Sequence, residues 1–185
     1  MKINKKCLYT FLAISILLFT SCDKNSVNNS LEINIDKNTQ VTEIKLYGLY
    51  TVSQVVDGDT ITVDIDGKNE KVRLIGVDTP ESVAFGKNAY KNCKEGKIAT
   101  QFTKSQLQGK KIYLEYDIEK YDKYNRTLAY VYIDKNTMFQ EMLLKQGYAQ
   151  IMTVPPNSKY SARFYQLQKS ARENKAGFWN DFFIK

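Results

Sequence analysis

An α+β fold that is mainly β is predicted by three observations. Five short segments are rich in β-branched and aromatic residues, turn signals separate them, and helical stripes are confined to one insertion and the second half of the chain. Together these describe a small, partly open Greek-key barrel of the OB type, five strands flanked by about three helices.

The first strand falls within Val41 to Val56, where Val, Ile, Leu and Tyr dominate. The second is Thr60 to Asp66, in which Ile61, Val63 and Ile65 alternate with polar residues. Asp66-Gly67 is a strong hairpin turn pair, and Val72 to Val77 supplies the returning strand. Ile112 to Tyr116 and Leu128 to Ile133 complete the five.

A helix is expected over Lys94 to Leu107, with Ile98 and Phe102 on its inner face. Thr137-Met-Phe-Gln140 has the form of a capping box, in which the two polar side chains satisfy exposed N–H groups. It would open a second helix carrying Met138/Met142 and Phe139/Leu143 at spacing four, closed by Gly147. A third is expected from Ser158, with Tyr160, Phe164, Leu167 and Ala171 on one stripe, ending near Gly177. Such stripes are core-forming before they are anything else.

The two ends of the chain differ in kind. Residues 1–22 read as an export signal: Lys2, Lys5 and Lys6 precede the apolar run Leu8 to Phe19, which at twelve residues is shorter than the roughly 17–25 that span a bilayer. Leu18-Phe-Thr-Ser-Cys22 resembles a lipobox, so Cys22 is the expected site of a lipid anchor on the outer face of the bacterial membrane, with plain secretion as the alternative. Residues 23–40 are rich in Asn, Ser, Lys and Asp and read as a flexible tether, reaching roughly 23 Å as a coil. Residues 41–185 form the domain. We expect it to act as a monomer.

Composition narrows the chemistry. The chain carries a formal charge of +7; without its first 22 residues, 24 basic and 20 acidic residues leave +4, compatible with a polyanionic partner but not demanding one. It has no histidine. That excludes Ser-His-Asp hydrolysis, His-ligated zinc and imidazole bases. Beyond Cys7 and Cys22 only Cys93 remains, so the domain forms no internal disulfide. Catalysis has to run on carboxylates, guanidinium groups, lysines, tyrosines or an oxygen-ligated metal.

The acids that matter first are Asp57, Asp59 and Asp78. A two-residue turn at Asp66-Gly67 sets Asp59 opposite Leu74, which leaves Asp78 four residues further along. Barrel curvature or a bulge has to close that gap. Converging carboxylates need a cation, and oxygen-only ligands favour calcium, with magnesium or manganese as competitors. An EF-hand is excluded, since Asp57-x-Asp59-x-Ile61 lacks the third oxygen ligand. Pro80 disfavours helix at Thr79 and ends the strand in an extended turn, leaving the Thr79 carbonyl available to a metal.

Four ordered motifs carry a resemblance: Asp57-Gly-Asp-Thr60, Arg73-Leu-Ile-Gly-Val-Asp-Thr-Pro-Glu81, Asp122-Lys-Tyr-Asn-Arg126 with Leu128-Ala-Tyr130, and Gln146-Gly-Tyr-Ala149. In this order, over roughly Val52 to Trp179, they resemble the staphylococcal nuclease (thermonuclease) family. The resemblance implies calcium bound by Asp59, Asp78 and the Thr79 carbonyl, and Glu81 as general base. It implies Arg73 and Arg126 on the scissile phosphate, with Lys123 and Tyr124 near the nucleotide pocket. DNA and RNA are the implied substrates and 3′-phosphates the implied products. Asn125 departs from the family's glycine, and Ile151 to Pro156 stands where the family's type member has pocket tyrosines. A barrel that only binds nucleic acid or protein at the cell surface, and a lipoprotein with purely structural calcium, are the competing readings.

Overall fold

The computed structural model describes residues 44–82 and 94–180. The expected leader, Cys22, the tether and Cys93 lie outside these residues. Strand β1 (Tyr47–Asp57) pairs antiparallel with β2 (Thr60–Ile65), and β2 with β3 (Lys68–Leu74). Asp66 and Gly67 both have positive φ, 52° and 81°, so the turn is of the mirror-image kind that matches strand twist. The register then follows: Ile65 faces Lys68, Thr60 faces Arg73, and Leu74 N–H donates to Asp59 O at 2.9 Å.

Helix α1 (Lys94–Leu107) leads into β5 (Lys111–Glu115), which pairs antiparallel with β1. β6 (Thr127–Asp134) pairs antiparallel with β5 and parallel with β3, and this last ladder closes a five-stranded barrel. The OB-type expectation is met. Val52, Ile61, Val63, Val72, Ile112 and Leu114 fill its interior from alternate positions and are fully buried. Each such side chain contributes roughly 1.5–3 kcal/mol.

Val72 to Val77 is not one strand. β3 stops at Leu74, Gly76 turns at φ 81°, and β4 (Gly76–Asp78) leaves the sheet to pair with β8 (Gln150–Met152). Glycine is needed there twice over, because a Cβ would sit 2.6 Å from the Phe164 ring. β8 and the two-residue β7 (Thr137–Met138) are strands too short for a sequence pattern.

The helices required three corrections. In α1 the buried face is Gly96, Ala99, Thr100, Thr103 and Leu107, while Ile98 is 37% exposed; Phe102 does turn inward, against Phe139 and Tyr148. The capping box does not form. Thr137 lies in β7, α2 (Phe139–Lys145) starts from Met138 without a side-chain cap, and Gln140 is fully buried. Its amide instead accepts from Val131 N–H (3.0 Å) and donates to Ala129 O (3.1 Å), fastening α2 to β6. Finally, α3 (Ser161–Glu173) begins three residues after Ser158 and ends before a separate 3-10 turn, Gly177–Trp179. Its stripe holds as expected, with Phe164 and Ala171 buried and Tyr160 and Leu167 packed beside the core. Gly147 closes α2 at φ 69°, with Gly147 N–H on Leu144 O and Tyr148 N–H on Leu143 O, the Schellman pairing.

Candidate active site

The bend at Gly76 determines the site. By turning β4 off the sheet it brings Thr79 back onto Asp59, whose Oδ2 accepts from the Thr79 N–H (2.9 Å) and hydroxyl (3.1 Å). Arg73, the last residue but one of β3, lies between the two carboxylates: Nη1 is 3.1 Å from Asp59 Oδ2 and Nη2 is 2.8 Å from Asp78 Oδ1. The same guanidinium donates to Leu74 O and Val77 O at 3.2 and 2.9 Å, which pins the bend itself. The four-residue gap in the hairpin register is therefore closed by a kink and an arginine. Arg73 does not pair with Asp64, which caps its own turn through Gly67 N–H.

Asp57 and α1 hold the other wall. Asp57 Oδ1 accepts from Gly58 N–H (2.8 Å) and from the Thr100 hydroxyl (2.7 Å), while the Thr103 hydroxyl donates to Gly58 O at 2.7 Å. Two glycines permit this approach. A Cβ on Gly58 would fall 2.6 Å from Thr79 Oγ1, and one on Gly96 would overlap the Glu81 carbonyl. Thr100, Thr103 and these glycines were not singled out from the sequence as site residues. The spacing of Gly96, Thr100, Thr103 and Leu107 is a helical stripe, but one of small and polar residues that an apolar search passes over.

Glu81, Arg73, Arg126, Asp57 and Asp59 line one cleft of about 300 Å³, together with Thr60, Lys71 and Ser82. Its electrostatics are unbalanced. Burial, then a side-chain hydrogen bond with Asp57, then the charges of Asp57, Asp59 and Asp78 push the Glu81 carboxyl up to about 7. Asp78 is also raised, first by burial and then by Asp59, against the opposing pull of Arg73. Arg73 is thus paired with two carboxylates, Asp59 and Asp78, while Glu81 is paired with a third acid, Asp57. Among the described residues no three acidic, thiol or imidazole groups converge as a ready-made metal cage. A cation at Asp59 and Asp78 would therefore complete its shell with main-chain carbonyl and water oxygens, the mixed hard-oxygen set that calcium accepts. The oxygen donors of Asp59, Asp78 and the Thr79 main chain fit such an ion.

The third motif forms a tight loop around Asp122. Asp122 Oδ1 accepts the Tyr124 and Arg126 N–H groups, each at 2.9 Å, and Oδ2 accepts Arg126 Nε at 2.7 Å. Burial resists the charge of Asp122, but the Arg126 and Tyr124 amides and the guanidinium outweigh it and hold the carboxyl below its usual range. Asn125 adopts φ 59°, so the departure from glycine keeps the turn, as asparagine tolerates this region.

Arg73 and Arg126 also line a second pocket of about 470 Å³, with Lys123, Tyr124, Tyr121, Leu128, Met152 and Val154 among its walls. Lys123 and Tyr124 are therefore beside the two arginines. Met152 and Val154 form its aliphatic wall in the Ile151 to Pro156 segment. Asn157, buried and unflagged by the sequence, fixes that segment by accepting from Glu119 N–H and donating to Glu119 O, both at 2.8 Å.

Comparison with known proteins agrees with this geometry. The family described as Staphylococcal nuclease homologue matches residues 71–181. A thermonuclease of Staphylococcus intermedius is 47% identical over 130 residues, covering 70% of this chain and 75% of that protein. A thermonuclease of Staphylococcus hyicus is 47% identical over 132 residues, 71% and 76% of the two chains. Endonuclease YncB of Bacillus subtilis is 37% identical over 134 residues, 70% of this chain and 61% of that protein. With the barrel, the ordered motifs and these relatives in agreement, the chain belongs to the staphylococcal nuclease family.

Proposed function

We propose that this chain, a nuclease by family, uses calcium to hydrolyse phosphodiester bonds of DNA and RNA, leaving 3′-phosphate and 5′-hydroxyl ends. The observation that carries the reading is the 300 Å³ cleft, where Arg73, Arg126 and Glu81 meet beside Asp59. Attack on a phosphodiester builds negative charge on the phosphoryl oxygens. Two guanidinium groups match that charge in planar, forked geometry and stabilise it most where water is excluded.

In this account Arg73 and Arg126 hold the phosphate, and Glu81 takes the proton of the attacking water. Phosphorus gains the water oxygen as its bond to the 5′ oxygen breaks, and that oxygen is protonated from solvent. Asp59, Asp78 and the Thr79 carbonyl hold calcium, which supplies Lewis-acid stabilisation of the phosphate charge. Lys123 and Tyr124 contact the nucleotide beyond the phosphate. The chain works outside the cytoplasm as a monomer, anchored by a lipid on Cys22 at the end of a leader over residues 1–22; radiolabelled fatty acid retained by the wild type and lost in Cys22→Ser is the corresponding check.

The test of activity is to incubate the full chain with plasmid DNA and with RNA, first with calcium and then with chelator. Cleavage of both with calcium and none with chelator is expected. No cleavage under any divalent ion would overturn the enzymatic reading.

A further inference from the structure

Beyond the two clefts, tyrosines and cations alternate along one side of the barrel, with Tyr121 49% exposed, Tyr47 half-buried and Tyr116 half-buried beside the core. Lys123 Nζ lies 5.1 Å and the Arg126 guanidinium 5.6 Å from the Tyr124 ring, which is 68% exposed. Tyr124 and Arg126 then share a shallow groove of about 340 Å³ with Tyr121, Lys71 and Thr127. Lys120 Nζ stands 5.5 Å from the Tyr121 ring and 4.6 Å from that of Tyr116. The Tyr116 ring contacts Tyr47 at 5.0 Å, tilted 47°, and Lys45 Nζ is 5.1 Å from Tyr47. Of the acids nearby, Glu70 already accepts the Thr127 hydroxyl at 2.9 Å and Asp122 holds Arg126 Nε at 2.7 Å.

We infer that Tyr121, Lys120, Tyr116, Tyr47 and Lys45 form a track for single-stranded polynucleotide, which holds the substrate strand beyond the nucleotide at the cleavage site. Rings offer stacking faces to unpaired bases of any sequence, and the interleaved ammonium groups follow the phosphates. The groove shares Lys71 and Arg126 with the cleft and Tyr121 and Tyr124 with the second pocket, so strand and scissile phosphate share one path. A paired duplex presents no base faces and gains only the charge term. The inference rests on the nuclease reading for its substrate, but its signature is length-dependent binding, which is measurable without cleavage.

The test uses the full chain in chelator, with fluorescent 20-nucleotide single-stranded DNA, a dinucleotide and a 20-base-pair duplex. Tyr47→Leu/Tyr116→Leu keeps the apolar packing and removes two stacking faces; Lys45→Gln/Lys120→Gln removes two charges. The first pair should weaken 20-mer binding roughly tenfold, within the range of base–aromatic stacking, and leave dinucleotide binding within twofold. The second should reduce the salt dependence of 20-mer binding by a slope of roughly 1.4, two single-strand phosphate contacts. Circular dichroism spectra matching the wild type would show that the folds are kept. Equal loss for 20-mer and dinucleotide, no loss for either, or wild-type binding of duplex as tight as single strand would each overturn the track. Absent cleavage with length-dependent binding intact would instead count against the nuclease reading alone.

Discussion

The charged clusters around Glu115 and around Arg73 are built on opposite principles. Around Glu115, 2% exposed, every partner is supplied: the Lys159 ammonium and Tyr160 hydroxyl on Oε1, and the Tyr132 and Tyr160 hydroxyls at 2.8 and 2.9 Å on Oε2. One negative charge meets one positive charge, and the Lys159 ammonium is held above its usual range chiefly by its hydrogen bond to Glu115. Around Arg73, one guanidinium is shared between Asp59 and Asp78, Glu81 stands against Asp57, and Glu81 and Asp78 are pushed towards neutrality. The first cluster is complete without a ligand and joins β5 to the segment before α3. The second is stable only as far as Arg73, Thr79 and Thr100 can offset its repulsion, and it opens to a cleft. Closure marks structure; surplus charge facing a cleft marks chemistry.

The largest effect is expected at Arg126. Arg126→Ala removes a cleft guanidinium whose fixed partner, Asp122, is itself on a loop. It should lower kcat/KM for DNA on the order of a hundred- to a thousand-fold with an unchanged unfolding midpoint; activity within threefold of wild type would mean that the residue assignment is wrong. Lys159→Met acts on the closed cluster. It leaves Glu115 buried with only hydroxyl donors, but the Lys159 side chain is 35% exposed and solvent screens the pair, so the cost in urea unfolding should be about 1–2 kcal/mol, while kcat per folded molecule stays within twofold. A stability loss below about 0.5 kcal/mol would show that Lys159 is a surface residue rather than a member of the cluster.

Gly58→Ala tests whether the open cluster depends on sub-ångström approach. The added methyl meets the Thr79 side chain, so Thr79 has to withdraw from Asp59. Activity should fall about a hundredfold, well beyond any stability change, since small misplacements at a reacting centre are that costly. Equal losses of activity and stability would indicate a general packing defect. The smallest effect is expected at Asn125, whose φ of 59° glycine adopts more easily: Asn125→Gly should stabilise by less than about 1 kcal/mol without altering kcat.

Much of this was legible from residue order. Asp66-Gly67 announces the turn whose two positive φ angles set the register, and that register places Asp59 against Leu74 as counted. What pattern could not supply was the bend. Gly76 sits inside an apolar run that reads as one strand, and only the Phe164 ring arriving from α3 explains why the chain turns there. Gln140 shows the same limit: its spacing from Thr137 mimics a cap, but its amide is taken by the Val131 N–H and the Ala129 carbonyl of β6. Ile98 is exposed because α1 approaches the barrel through glycine and threonines that bind Asp57 and Gly58, and bulk on that face would hold the helix away. Each candidate motif is local in sequence; what orients it is not.

A cation is proposed to complete the open cluster. Calorimetric titration of the full chain with calcium, set beside Asp59→Asn and Asp78→Asn, tests it most directly. One calcium per chain, lost or weakened at least tenfold in both variants while both stay folded, is the expected result. No binding to the wild type, or binding that both variants retain unchanged, would contradict it.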